Sequence, residues 1–368
     1  MHARAAVATT FQIPARLADR AGAILVESVR RHRAFVVIVT GYCLLCFVAT
    51  WATGGEQVVD VRPYSTLFSI LLGTLAVLAA LGGVFYVMIF VRPEGSLYPA
   101  IGHALFDNVF SADRLANVVV PLLVGPMFFN AFGSFKRLIP LMNPYSWDFR
   151  FMTWDAWLHG GTQPWALLQP ILGNPFVTSG INLSYNIWLI LMMGTFIWQA
   201  CTLKRPALRM QYLLCFLVFW AVLGTALATV LSSVGPCYYG RVTGLPDPYQ
   251  PLMAYLHQAD EVATVWSLKV QEALWQNYES SGKMLGGGIS AMPSMHLAMS
   301  TLMALLGWRI NRWLGAGYTA FAAIILVGSV HLGWHYALDG YVSIIAAIAL
   351  WHATGWAMRR WPVLAGTH

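Results

Sequence analysis

Eight stretches of largely apolar residues, near 34–53, 67–91, 115–133, 183–203, 211–233, 293–308, 314–333 and 338–358, constrain this chain more than any other feature. A helix needs roughly 20 apolar residues to cross the hydrocarbon layer of a bilayer, and most of these stretches meet that length. With 58% hydrophobic and only 10% charged residues, the chain has too little polar surface to cover a soluble globule. The expected fold is an all-α integral membrane protein of about eight transmembrane helices.

The net charge of +7 would point to nucleic acid in a soluble protein; here it reports topology and implies no nucleic-acid partner. With the N-terminus in the cytoplasm, the inside segments hold 15 of the 22 basic residues, and the outside segments hold fewer basic than acidic ones. Residues 11–33 mix Phe11, Ile13, Leu17, Leu25 and Val29 with Arg16, Arg20, Arg30 and Arg31. That spacing predicts a basic amphipathic helix on the inner leaflet, so 1–33 reads as a cytoplasmic segment ahead of a polytopic domain over 34–368. The N-terminus lacks the pattern of a cleaved signal, and the first span itself is expected to direct insertion. Four of the five cysteines lie in apolar segments, so no disulfide framework is expected, and Cys43-Leu-Leu-Cys46 reads as helix packing.

Two polar islands interrupt the apolar C-terminal part: Ala291-Met-Pro-Ser-Met-His296 and His331-Leu-Gly-Trp-His335-Tyr-Ala-Leu-Asp339. The predicted topology puts both on the outer face. Ionisable groups near a membrane interface mark functional sites, and residues four apart share a helix face, so His331, His335 and Asp339 are expected to form one stripe. A carboxylate can hold one imidazole nitrogen and leave the other free as base or nucleophile. In the first island Pro293 starts a helix whose N-terminus, with the Ser294 hydroxyl, favours an anion. One histidine as nucleophile and another as acid, beside such a pocket, fits phosphoryl transfer through a covalent intermediate, with His335 neutral and His296 protonated. A second pair of the same spacing, His103 and Asp107, has no companion motif on its predicted cytoplasmic side and is set aside. The segments 134–182, with Trp147-Asp148 and Trp154-Asp155, and 234–292, with Gly286-Gly-Gly288, are expected as long outer loops that carry function or an interfacial aromatic belt.

Pro293-Ser294-Met295-His296 resembles the Pro-Ser-x-His motif, and His335-Tyr-Ala-Leu-Asp339 the His-x-x-x-Asp end of the third motif, of the type 2 phosphatidic acid phosphatase (PAP2) superfamily. The form of both is similar to the branch containing fungal inositol phosphorylceramide synthase. The resemblance covers roughly residues 290–345, with a looser match at Gly235-Pro236 and the 134–175 loop, and implies a helical-bundle catalytic core over about 183–358. It implies that His335 forms a phosphohistidine, Asp339 orients it, His296 protonates the leaving group and Ser294 helps hold the phosphate. The superfamily's Lys-x6-Arg-Pro motif is missing on the outer side, and Ser329 stands where its third motif has arginine. Phosphate cations are therefore expected among Arg241, ranked first, Lys283 and Lys136, with a hydrogen bond from His331.

The resemblance implies a metal-independent membrane enzyme without cofactor, acting on a lipid phosphate or phosphodiester. A lipid alcohol as acceptor makes it a phosphotransferase, the form the branch resemblance favours; water makes it a phosphatase. Two other readings use the same residues: a proton-coupled transporter with a His–Asp relay, and a structural membrane protein that has kept the motifs without activity. The short loops and compact build point to a bacterial inner membrane, with the site facing outside.

Overall fold

The computed structural model describes residues 12–54, 111–280 and 287–366, with scattered positions between 66 and 88. The expected 67–91 span lies mostly outside the described residues, as do Lys283, Gly286, His103 and Asp107. Among the described residues there is no strand. The helices longer than five residues are α1 (Gln12–Arg31), α2 (Arg33–Ala52), α3 (Ala112–Met142), α4 (Asp148–Leu158), α5 (Pro164–Leu172), α6 (Pro175–Cys201), α7 (Pro206–Val230, with a π turn at Val222–Leu227), α8 (Gln250–Val262), α9 (Trp266–Glu279), α10 (Met295–Ile310), α11 (Arg312–His331) and α12 (Ala337–Arg360). Six of them, α2, α3, α6, α7, α11 and α12, are long and apolar enough to cross a bilayer, which makes the chain an integral membrane protein.

The 293–308 stretch forms α10, a helix of 16 residues packed against α6, α7, α11 and α12. Its side chains from Leu297 to Ala304 are all buried, so α10 is a core helix rather than a lipid-facing one. Short polar side chains set its ends and those of its neighbours. The Ser294 Oγ accepts the Leu297 N–H at the start of α10, the Asn311 Oδ1 accepts the Trp313 N–H at the start of α11, and the Asn174 Oδ1 accepts the Phe176 N–H at the start of α6. Asn311 also closes the α10–α11 hairpin, where Gly307 and Gly315 let the backbones meet. A Cβ at Gly315 would come 2.5 Å from Trp308 Cδ2 and 2.9 Å from its Cα. Gly315→Ala is expected to destabilise the protein by about 1–3 kcal/mol, read as a lower thermal midpoint in detergent.

The third span runs to Met142 instead of ending near 133. Lys136 and Arg137 end the apolar run but not the helix, because a charged side chain that turns toward protein leaves the backbone hydrogen bonds intact. Three prolines lie inside α3, and each frees the carbonyl four residues before it. The Asn117 carbonyl freed by Pro121 accepts a hydrogen bond from Arg209 Nη2 at 2.6 Å. Cys43 and Cys46 on α2 donate to the Met127 and Ala131 carbonyls of α3, in keeping with a packing role. The two expected long loops are largely helical, the first forming α4 and α5 and the second α8 and α9.

Candidate active site

At one end of the bundle, four backbone segments knit together around the start of α10 and the α11–α12 connection. The Ala291 N–H donates to the Ser233 carbonyl, Cys237 N–H to Gly333 O, Ser146 N–H to Ser232 O, and Ser294 N–H to Asp339 O at 3.5 Å. Gly235 adopts a φ of +88°, and a Cβ there would lie 2.6 Å from the Trp334 carbonyl, so only glycine allows this close approach.

The expected stripe on one helix face does not form. Helix α11 ends at His331, and α12 begins at Ala337. Between them Gly333 takes a left-handed φ of +73°, and the Ser329 carbonyl accepts both the Trp334 and His335 N–H groups. The turn sends His331 and His335 apart. His331 Nε2 meets Thr178 Oγ1 at 2.9 Å, Thr178 Oγ1 meets the Tyr255 hydroxyl at 2.7 Å, and His331 is fully buried, away from the role expected of it at the phosphate.

His335 and Asp339 remain together. The His335 Nδ1–H donates to Asp339 Oδ2 at 3.2 Å, since the carboxylate can only accept, and the same oxygen accepts the Tyr336 N–H. That tautomer leaves Nε2 with a free lone pair. Burial holds the His335 imidazole neutral, pushing its pKa down to about 3; the Ala291 carbonyl beside the ring opposes the shift, and the Lys136 charge adds to it. A neutral imidazole is the form a nucleophile needs.

The second histidine faces the first. The rings of His296 and His335 lie 6.0 Å apart at 64°. His296 is held between Tyr185, stacked at 4.3 Å, and Trp188, at 4.2 Å, whose indole N–H donates to the His296 carbonyl. Among the described residues neither His296 ring nitrogen has a hydrogen bond, so the imidazole is fixed in place with its nitrogens open to a substrate. Burial first, then the neighbouring His335 and Lys136, push the His296 pKa well below the ordinary value, so the protein alone holds this ring neutral rather than protonated as expected. An anionic phosphate beside it is what would favour the imidazolium. Ser294 is fully buried, and its oxygen serves as the α10 N-cap.

The candidate cations separate. Lys136, on α3, acts electrostatically on both histidines, and its backbone packs against Gly288, where a Cβ would lie 3.1 Å from the Lys136 carbonyl. Among the described residues no carboxylate pairs with it. Arg241 instead bonds Glu272 at 2.9 Å in a half-exposed pair and sits over the Trp275 ring at 5.2 Å, so its charge is taken up at the surface. The fold thus brings His335, Asp339, His296, Ser294 and Lys136 together and leaves His331 and Arg241 outside. Among the described residues no set of three or more His, Cys, Asp or Glu is arranged to hold a metal ion.

Two pairs of neighbours of the site were not legible as such. Tyr185 and Trp188 lie in the apolar run of α6 and read as core. Asp148 and Asp155, seen only as part of a Trp- and Asp-rich loop, are 2% and 1% exposed. Asp148 accepts from the Val234 and Gly235 N–H groups and the Tyr336 hydroxyl, and Asp155 accepts from the Ala337 and Leu338 N–H groups. Burial pushes both carboxyls above the ordinary range while the N–H donors pull them back. The nearest sequence signal was the pairing of each aspartate with a preceding tryptophan, which gives the loop an anchor and a polar group to bury.

A neutral imidazole backed by a carboxylate, a second imidazole facing it and one ammonium can together perform nucleophilic substitution at phosphorus. No curated protein and no solved structure matches the chain. The family model of the PAP2 superfamily matches residues 150–353, a stretch that contains both histidines and Asp339 and more than half of the sequence, and the chain belongs to the PAP2 superfamily.

Proposed function

We propose that the protein is a lipid phosphotransferase that moves a phosphoryl or phospho-headgroup unit through a phosphohistidine on His335. The observation that carries this reading is the facing pair of histidines, one neutral and tied to Asp339, the other with both nitrogens open. In the first half-reaction His335 Nε2 bonds to phosphorus, the bond from phosphorus to the leaving oxygen breaks, and His296 gives that oxygen a proton. In the second, an acceptor hydroxyl attacks the phosphohistidine, neutral His296 takes its proton, and the N–P bond breaks to restore His335. Asp339 holds the Nδ1–H throughout, and Lys136 offsets charge on the non-bridging oxygens.

The acceptor separates transferase from phosphatase. His335 is 6% exposed and faces His296, which itself lies between Tyr185 and Trp188, and this enclosure supports discharge to a lipid alcohol that displaces water over discharge to bulk water. The form of the two motifs supports headgroup transfer of the kind carried out by inositol phosphorylceramide synthase. The positive-inside bias supports a cytoplasmic N-terminus and an outward-facing site. The test is to incubate the purified protein with radiolabelled lipid phosphates and phosphodiesters, with and without ceramide or diacylglycerol, in EDTA. New labelled lipid that requires the acceptor is the expected result. Free phosphate or free headgroup phosphate in its place makes the protein a phosphatase, and proton-coupled transport with no phosphoenzyme overturns both.

A further inference from the structure

The last helix starts badly by its own means. Its N-cap is Tyr336, which has no short side-chain acceptor to turn back on the first N–H groups. A helix leaves its first four N–H groups without intrahelical partners, and here the start is buried, so each needs another acceptor. Asp339, at the third helical position, takes the Tyr336 N–H. The next two N–H groups, of Ala337 and Leu338, are bonded at 2.8 and 2.9 Å by the two carboxylate oxygens of Asp155, more than 180 residues away in sequence on α4. Two turns earlier on α4, Asp148 bonds the Tyr336 hydroxyl at 2.9 Å and the N–H groups of Val234 and Gly235.

We propose that Asp148 and Asp155 are positioning residues for the His335–Asp339 pair: α4 clamps the three residues that link His335 to Asp339 and places two further negative charges near Asp339. Every contact of these two carboxylates is an accepted hydrogen bond, so both fit their sites as anions. Both act electrostatically on Asp339. The opposing charge is Lys136, which acts on His335 from α3. Two carboxylates that act on Asp339 and an ammonium that acts on His335 form a fixed charge environment around the pair, in place before the substrate arrives. The clamp also sets the His335 ring angle, since Tyr336 and Ala337 directly follow it, and a small misplacement of a nucleophile is expensive in rate.

The inference rests on the phosphohistidine reading, and its test separates the two. Full-length protein in detergent is prepared with 15N-histidine, and the His335 signals are assigned by their loss in His335→Gln. Asp155→Asn, Asp148→Asn and Asp155→Ser are compared with it; the serine keeps one acceptor without charge should the amide variant fail to fold. The other charged or titratable groups near the ring, Asp339, Lys136, His296, Tyr185 and Cys237, are unchanged in all of them. The expected result is a weaker His335 Nδ1–H bond, seen as an upfield shift of its proton, together with a kcat on bis(p-nitrophenyl) phosphate lower by about 10²-fold and a KM within twofold. An unshifted Nδ1–H proton in folded variants overturns the inference, as does an unchanged kcat or a loss that falls on KM alone. Should His335→Ala itself keep full turnover, the phosphohistidine reading fails, and the Nδ1–H signal still decides whether α4 holds the His335–Asp339 pair.

Discussion

Replacing His335 by alanine is expected to lower turnover by about 10⁴–10⁶-fold and to abolish any acid-labile phosphoenzyme, because no other described group can supply the attacking lone pair at that place. The residue sits in a turn rather than a helix, so truncation leaves a small pocket without disturbing a hydrogen-bond ladder, and the variant should fold. Quench-flow with labelled substrate, followed by alkaline work-up, measures both the rate and the phosphohistidine. The pH profile carries the same information in the unaltered protein. Burial holds the imidazole neutral down to about pH 3, against 6.5 for an unperturbed histidine. For a group whose proton affinity is depressed, the active neutral form is present above the depressed value and lost as pH falls through it. The acid limb of kcat/KM should therefore lie well below pH 6. A limb near 6.5 would mean that His335 is solvated when it reacts, or that another group is the nucleophile.

The second large effect belongs to His296. His296→Gln keeps a planar polar group between Tyr185 and Trp188 but has no proton to give at neutral pH. Loss of a general acid typically lowers the rate about 10²–10⁴-fold, and the loss depends on the leaving group. An alkyl or glycerol oxygen is a poor leaving group and needs the proton, whereas a p-nitrophenolate does not. The expected pattern is a full loss on phospholipid and a loss of less than about tenfold on a p-nitrophenyl ester. An equal loss on both would recast His296 as a binding residue. Because the ring nitrogens have no hydrogen bond among the described residues, the substitution leaves no protein partner unsatisfied, and its effect can be read as chemistry rather than as collapse of a network.

Why some of this was readable in advance and some was not follows from what each signal measures. Apolar runs located the membrane helices because hydropathy integrates over many residues. The same averaging ended α3 at its first charges and missed that Lys136 rides on the helix into the site. The two histidine islands stood out because polar side chains are rare in such surroundings. Their four-residue spacing misled, since it assumed a continuous helix where Gly333 permits a left-handed turn, and so it gave His331 a role that the turn denies it. Arg241 stood first because it follows Gly-Pro-Cys-Tyr-Tyr in a loop leaving a span, but its partner Glu272 lies 31 residues on. The aspartates of α4 were invisible as site residues because their acceptor roles are defined only by backbone N–H groups far along the chain.

The largely enclosed position of α10 bears on how the protein is made. A segment with its flanks covered by α6, α7, α11 and α12 has little surface of its own to offer lipid. It is best delivered to the bilayer as one limb of a hairpin with α11, joined at Asn311 and closed where Gly307 meets Gly315. The remaining wall comes from α12, whose first turn is bonded by a side chain of α4. The reactive centre is thus assembled last, after both halves of the chain are in the membrane. An insertion intermediate lacking α12 would hold both histidines without Asp339 to orient His335, so a half-built enzyme would attack the lipids around it poorly.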